Sequence, residues 1–158
     1  MSNMEPRFYN VPPDREIRSS RVFSYPRELL FRAWTDPDLL AAWRGPAGFT
    51  NTFYEFDRQP GGKWLFTMHG PDGKTYEQDK TFEEVIPGRK VSFRHHAPVH
   101  GFRMEQTYSD EPGGASRLDW RMRFDAPGEL EKIRDFIDKA NEENFDRLQS
   151  HLNSHAAS

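Results

Sequence analysis

Residues 129–152, ELEKIRDFIDKANEENFDRLQSHL, lie in the longest run of the chain without proline or glycine. The run follows Pro127-Gly128 and is rich in Glu, Lys, Arg and Leu, a composition that predicts one long helix. At about 100° per residue, its apolar side chains are expected on one arc. These are Leu130, Ile133, Phe136, Ile137, Ala140, Phe145, Leu148 and Leu152. Such a stripe predicts that the helix lies on an apolar surface.

The region before the helix predicts that surface. Gly- and Pro-rich turn signals recur at intervals of roughly ten to fifteen residues from Phe49 onward, which is typical of an antiparallel meander. Between the turns, apolar side chains alternate with polar ones. The shared apolar faces are Trp64, Phe66 and Met68; Val91, Phe93 and His95; and Leu118, Trp120, Met122 and Phe124. The pattern predicts a sheet with one face against the core and one face toward water.

A further strand and two short helices are predicted ahead of the meander. The strand runs from Glu16 to Ser24, and Pro26 suits the first position of a helix that continues to Trp34. Asp36 can cap a second helix that Pro37 opens. The complete order predicts an α+β fold, in which a curved antiparallel sheet of about seven strands wraps around the long C-terminal helix.

Length and composition limit what such a chain can be. The 158 residues fit one domain, and we expect residues 1–14 to form an N-terminal arm and residues 15–155 the domain. The formal charge of −3 gives no basic surface for nucleic acid. No apolar run or signal segment predicts membrane insertion or export, so we expect a cytoplasmic protein. The chain has no cysteine, which excludes disulfides and thiolate chemistry.

Several motifs in register resemble one family. They are RVFSYPRELLFRAWTDP (21–37), LLAAWRGP (39–46), FDRQPGGKW (56–64), GPDG (70–73) and FEEVIP (82–87). Together they are similar to the heat-shock-protein-90 ATPase activator homologue branch of the START-like (SRPBCC) superfamily. The resemblance implies a helix-grip (START/Bet v-like) fold with a cavity between the sheet and the long helix. Two departures lie near the expected cavity: Arg44 replaces a second Trp, and a glycine common in relatives is not evident around Lys80.

The cavity that the resemblance implies would combine an apolar wall with a few polar groups, as small-molecule sites do. Asn141 and Asn144 share the helix arc that faces the sheet, where they would bond either a neighbouring group or a ligand. His95 is either a polar group of the cavity or a buried histidine with a protein partner. The candidate cavity residues are Trp64, Phe66, Met68, Tyr76, Gln78, Phe93, His95, Met104, Gln106, Trp120, Met122, Ile137, Asn141 and Asn144.

Sites of other kinds are not indicated. His95 and His96 are adjacent on a strand and so point to opposite faces, which argues against a metal site with His100 and Glu105. No phosphate-binding glycine motif or nucleophile elbow occurs. We therefore name no metal, no cofactor and no catalytic residue. Arg134 borders the helix stripe, either solvated or reaching an acidic group.

Three functions are compatible with these observations. The favoured hypothesis is a binding protein for a small hydrophobic or lipid-like ligand held between sheet and helix. The second is a cyclase- or dehydratase-like enzyme in the same cavity, with His95 and a carboxylate as the acid–base pair. The third is a co-chaperone-like module, which the absence of an additional domain disfavours. Relatives are often dimers, so the resemblance leaves a homodimer open.

Overall fold

The computed structural model describes residues 15–97, 101–126 and 128–156, and in this part seven strands form one antiparallel sheet. The predicted arm of residues 1–14 and the turn at 98–100 lie outside the described residues. The strands are β1 (Glu16–Phe23), β2 (Thr50–Phe56), β3 (Lys63–His69), β4 (Thr75–Ile86), β5 (Lys90–Ala97), β6 (Phe102–Glu111) and β7 (Ala115–Phe124). Their order across the sheet is β1-β7-β6-β5-β4-β3-β2. The predicted meander is confirmed, and β1 pairs with β7 at one edge of the sheet.

The two short helices are α1 (Arg27–Thr35) and α2 (Pro37–Trp43). The capping of α2 is confirmed, because Asp36 Oδ1 accepts hydrogen bonds from the backbone N–H groups of Asp38 at 3.0 Å and Leu39 at 3.4 Å. Pro26 lies one position earlier than predicted: it is the N-cap of α1, with an extended ψ of 152°.

The long helix α3 spans Glu129–Ala156, and its apolar stripe differs from the prediction at Phe136. Phe136 is 69% exposed, whereas Leu130, Phe145, Leu148 and Leu152 are buried. At about 100° per residue, position 136 lies about 130° from the centre of the buried stripe, on the solvent side. The predicted apolar arc was too wide, because it included Phe136 at its edge.

An aromatic core fills the space between the sheet, α1 and α2. Trp34 of α1 stacks on Phe93 of β5 with ring centroids 5.8 Å apart, and it meets Trp64 of β3 edge-on at 5.2 Å. Trp43 of α2 donates its indole N–H to the carbonyl of Ala33 at 2.9 Å. The Trp34 contacts anchor α1 to the inner face of β3 and β5, and the Trp43 hydrogen bond joins α2 to α1.

A register shift in β4 determines what lies opposite Lys80. The pairing of β4 with β5 shifts between Asp79 and Lys80, so that Asp79 pairs with Ala97 and Lys80 with His95. Lys80 lies on the inner face, alternating with Gln78 and Phe82, while Asp79 binds the ammonium of Lys63 at 2.6 Å on the outer face. The outer face carries the charged side chains, as the alternation predicted.

Candidate functional site

A cavity of about 70 Å³ lies between the inner face of the sheet and α3. Since a water molecule occupies about 30 Å³ of the liquid, this is room for about two waters or one small polar group. The lining residues come from α1, β4 to β7, α3 and the end of α2. They are Trp34, Arg44, Lys80, Phe93, Phe102, Met104, Gln106, Trp120, Met122, Asn141 and Asn144.

Half of the predicted cavity residues lie around this space. They are Phe93, Met104, Gln106, Trp120, Met122, Asn141 and Asn144. The strand residues among them belong to the inner faces of β5, β6 and β7, where sequence alternation placed them. The two asparagines lie on the sheet-facing arc of α3.

The other predicted residues do not line the cavity. Trp64 and Phe66 stack on each other with centroids 4.7 Å apart and form a layer behind the wall. Gln78 is buried on the inner face of β4, and Ile137 is half-buried on α3. Tyr76 is 38% exposed because it lies beside the β3–β4 turn, where it contacts Phe49. The remaining two, Met68 and His95, contact the cationic side chains of the lining.

Lys80 is the most unusual group at the site, with a relative exposure of only 1%. Its Nζ lies 2.9 Å from Nδ1 of His95, and the His95 ring stacks on Phe102 at 4.6 Å. Four ring centroids lie within 6 Å of the same nitrogen, those of Trp64, Phe66, Phe93 and Phe102. Burial, and secondarily the positive charge of Arg44, hold the pKa of Lys80 well below its usual 10.5.

Arg44 is the second cation of the lining and follows directly after α2. Its guanidinium lies over the rings of Trp64 and Phe66, at 5.4 and 5.0 Å, and donates to Sδ of Met68 at 3.5 Å. Desolvation, with a smaller contribution from Arg147, lowers the pKa of Arg44 to about 10. Because Arg44 and Lys80 lie over the same two rings, the cavity holds two neighbouring basic groups.

Both asparagines bond other groups of the protein. Asn144 Oδ1 accepts the backbone N–H of Gly45 at 2.6 Å and its Nδ2 donates to the carbonyl of Ala140 at 3.1 Å, so it joins α3 to the loop after α2. Arg147 strengthens this contact between α3 and the loop by donating to the carbonyls of residues 44, 45 and 46 at 3.0–3.2 Å. Asn141 Nδ2 donates to Ser19 Oγ at 3.0 Å. Asn144 therefore has the protein partners expected of a structural residue.

Hydrogen-bond donors dominate the polar lining. The indole N–H of Trp120 is buried and has no hydrogen-bond acceptor among the described residues. Gln106 already uses its Oε1 to accept the hydroxyl of Tyr108 at 2.9 Å. None of the described lining residues is acidic. Glu105, a buried carboxylate between the lining residues Met104 and Gln106, belongs to the outer face of β6 and binds Lys90 at 2.8 Å.

The described residues hold no cluster of three or more histidines and carboxylates able to bind a metal ion, and His100 is not among them. His96 lies on the outer face, as predicted, with its Nε2 2.8 Å from Thr81 Oγ1. Arg134 donates to the carbonyl of Glu16 at 3.3 Å. No helix in the described part of the chain combines the length and apolar composition needed to cross a membrane.

Sequence reasoning left four lining residues out: Trp34, Arg44, Lys80 and Phe102. A signal existed for two of them. Lys80 follows Gln78 and precedes Phe82 at alternate positions, which places it on the inner face, and Arg44 and Lys80 both mark departures from the pattern of relatives. The sequence analysis placed both positions near the expected cavity without naming either side chain as part of its lining, and the sequence did not reveal the burial of Lys80.

The comparison with known families decides the classification of this fold. Residues 24–153 match the model of the family described as "Activator of Hsp90 ATPase homolog 1-like protein". The chain belongs to this family. The resemblance drawn from the motifs is thereby confirmed. None of the curated proteins matches the chain in sequence.

Solved structures of similar proteins support the same fold. A protein from Nitrosomonas europaea has a TM-score of 0.81 at 18% identity, with 94% of this chain and 100% of that chain covered. A protein from Arthrobacter aurescens has a TM-score of 0.81 at 18% identity, covering 89% and 87%. The AHSA1 protein from Silicibacter pomeroyi has a TM-score of 0.74 at 21% identity, covering 89% and 99%. At 18–21% identity, these structural similarities support a shared helix-grip fold.

Proposed function

We propose that this domain binds a small molecule that has an apolar body and a polar end, in the cavity between the sheet and α3. The observation that carries the proposal is the wall itself. Six of its eleven residues are aromatic or methionine, and the other five are polar groups that converge on one space. This is the composition of small-molecule sites in proteins.

The ligand body needs more room than the cavity of about 70 Å³ offers. The first half of α3 is the part best able to supply it, because none of residues 131–140 is fully buried. Ile133 and Ile137 are half-buried there, between the buried Leu130 and Asn141. Segments with few buried side chains open at low free energy. A hydrophobic or lipid-like body would then lie beneath this half of the helix.

Native mass spectrometry tests the proposal on the full chain, as isolated and after addition of fatty acids, sterols and aromatic polyketides. We expect a discrete adduct that is lost in Met104→Phe, because the larger side chain fills the cavity. The matched control is Ile86→Phe, which adds a ring at a position that is 42% exposed. An adduct that survives Met104→Phe in a folded protein, or no adduct from any class, would contradict binding in this cavity.

One observation favours an enzyme as the second candidate. Lys80 and His95 place an amine and an imidazole 2.9 Å apart beside the cavity, and a displaced pKa such as that of Lys80 is common at catalytic sites. The pair differs from the imidazole and carboxylate that sequence reasoning suggested for a cyclase or dehydratase. Turnover lost in Lys80→Met while ligand affinity remains would support the enzyme.

A further inference from the structure

Three of the polar groups around the cavity are hydrogen-bond donors only. Arg44 and Lys80 are basic and can only attract negative charge when protonated, and the indole N–H of Trp120 is a donor with no acceptor among the described residues. No acidic side chain belongs to the described lining. A ligand that satisfies these three groups must therefore supply hydrogen-bond acceptors.

The close approach of these two basic groups is also unfavourable in energy. Beside the guanidinium of Arg44, the buried amine of Lys80 has no counter-ion among the described lining residues, and an uncompensated buried charge costs several kcal/mol by order of magnitude. The rings of Trp64 and Phe66 offset part of this cost because both cations lie over them. An anion placed between the two basic groups would remove the remaining imbalance and would also accept from Trp120.

We infer that the polar end of the ligand is a carboxylate, held by Arg44 and Lys80 and reached by the indole N–H of Trp120. The inference rests on the proposed function, since it concerns the same cavity. A carboxylate is planar and matches the fork of a guanidinium, and it is small enough for a space of about 70 Å³. The apolar lining from Trp34, Phe93 and Phe102 favours an organic acid over a hydrated inorganic anion.

Titration of the full chain, followed by the indole N–H signals in ¹⁵N–¹H correlation spectra, tests the inference. The signal of Trp120 is assigned as the one that disappears in Trp120→Phe. The probes are acetate and hexanoate, their neutral amides acetamide and hexanamide, and the inorganic anions chloride and phosphate. We expect the Trp120 signal to shift and saturate with the carboxylates, with the amides bound at least about tenfold more weakly, because charge-assisted hydrogen bonds are lost.

Arg44→Met and Lys80→Met should each weaken hexanoate binding by about tenfold or more and leave hexanamide unchanged. Lys63→Met is the matched control, since it removes a lysine from the outer face beside Asp79. Melting curves show whether each variant is folded, and Lys80→Gln replaces Lys80→Met should the latter fail to fold.

The outcomes separate the inference from the proposed function. Acid and amide bound equally well, or hexanoate affinity unchanged in both variants, would overturn the carboxylate and leave small-molecule binding standing. Inorganic anions bound as tightly as hexanoate would overturn the organic acid in favour of a general anion site. No response of Trp120 to any probe would overturn the carboxylate, and the adduct experiment above then decides the proposed function separately.

Discussion

The substitution Lys80→Met tests the energetic cost of the buried amine. Methionine has a similar length and no charge, so it fills the same space among the four rings and removes the group that burial disfavours. We expect the variant to be more stable than the natural protein near neutral pH. The charged or titratable groups that face Lys80 are Arg44 from the end of α2 and His95 from β5, whereas β3, β6 and α3 present uncharged side chains.

The pH dependence of this difference has a defined sign and size. The pKa of Lys80 in the folded protein lies well below the 10.5 of the unfolded chain. Between these two values the unfolded chain binds a proton that the folded protein does not, so the stability of the natural protein rises with pH. The slope in that window is about 1.4 kcal/mol per pH unit. The advantage of Lys80→Met should therefore shrink as the pH rises through that window, by about 1.4 kcal/mol for each pH unit inside it, and the two proteins are compared at about pH 8 and about pH 9.

Urea unfolding of both proteins at these two pH values provides the measurement. Arg44, with a pKa of about 10, keeps its charge over this interval and cancels in the comparison. Lys63→Met, from the outer face of β3, should show stability that parallels the natural protein. A difference between Lys80→Met and the natural protein that is the same at both pH values would refute the reasoning, because it would mean that Lys80 keeps its proton in the folded state.

Three other predictions follow from the same geometry. Binding of hexanoate should raise the pKa of Lys80 and take up a proton at a pH where the free amine is neutral, because an anion beside Lys80 favours its charged form. Calorimetry in buffers of different ionisation enthalpy would show no buffer dependence if this is wrong. Asn144→Leu should cost about 1–3 kcal/mol in urea unfolding, because the buried N–H of Gly45 loses its acceptor, and an unchanged stability would contradict the structural role. Gly62→Ala should cost about 2–3 kcal/mol or more in the same assay, since its Cβ would lie 1.9 Å from the carbonyl oxygen of Asp57; a cost below about 1 kcal/mol would show that this turn can adjust.

Much of the fold could be predicted from local patterns. The alternation of Trp64, Phe66 and Met68 identified the inner face of β3, and Asp36 with Pro37 identified the start of α2. Phe136 shows the limit of this approach, because a wide arc on a helix wheel does not say where the supporting sheet ends. Only the packed structure shows that Phe136 faces solvent.

The candidate site was predicted in part for the same reason. The alternation along the strands placed Gln106 and Trp120 toward the cavity, and the helical period placed Asn141 there. The structure finds all three in the lining. It could not show that Asn144 bonds Gly45 or that Asn141 bonds Ser19, because these partners lie 99 and 122 residues away in sequence. A hydrogen-bond partner across that distance depends on how the elements close on one another.

The sequence by itself determined which segments become strands and helices and which face of each is apolar, because these properties follow from the local periods of the chain. The tertiary structure alone decided that Lys80 meets His95, through a register shift at Asp79, and that Arg44 lies over the same rings as Lys80. Burial and neighbouring charge are properties of the assembled sheet and helices. Because of them, Arg44 and Lys80, whose side chain types usually face water, line the cavity as basic groups.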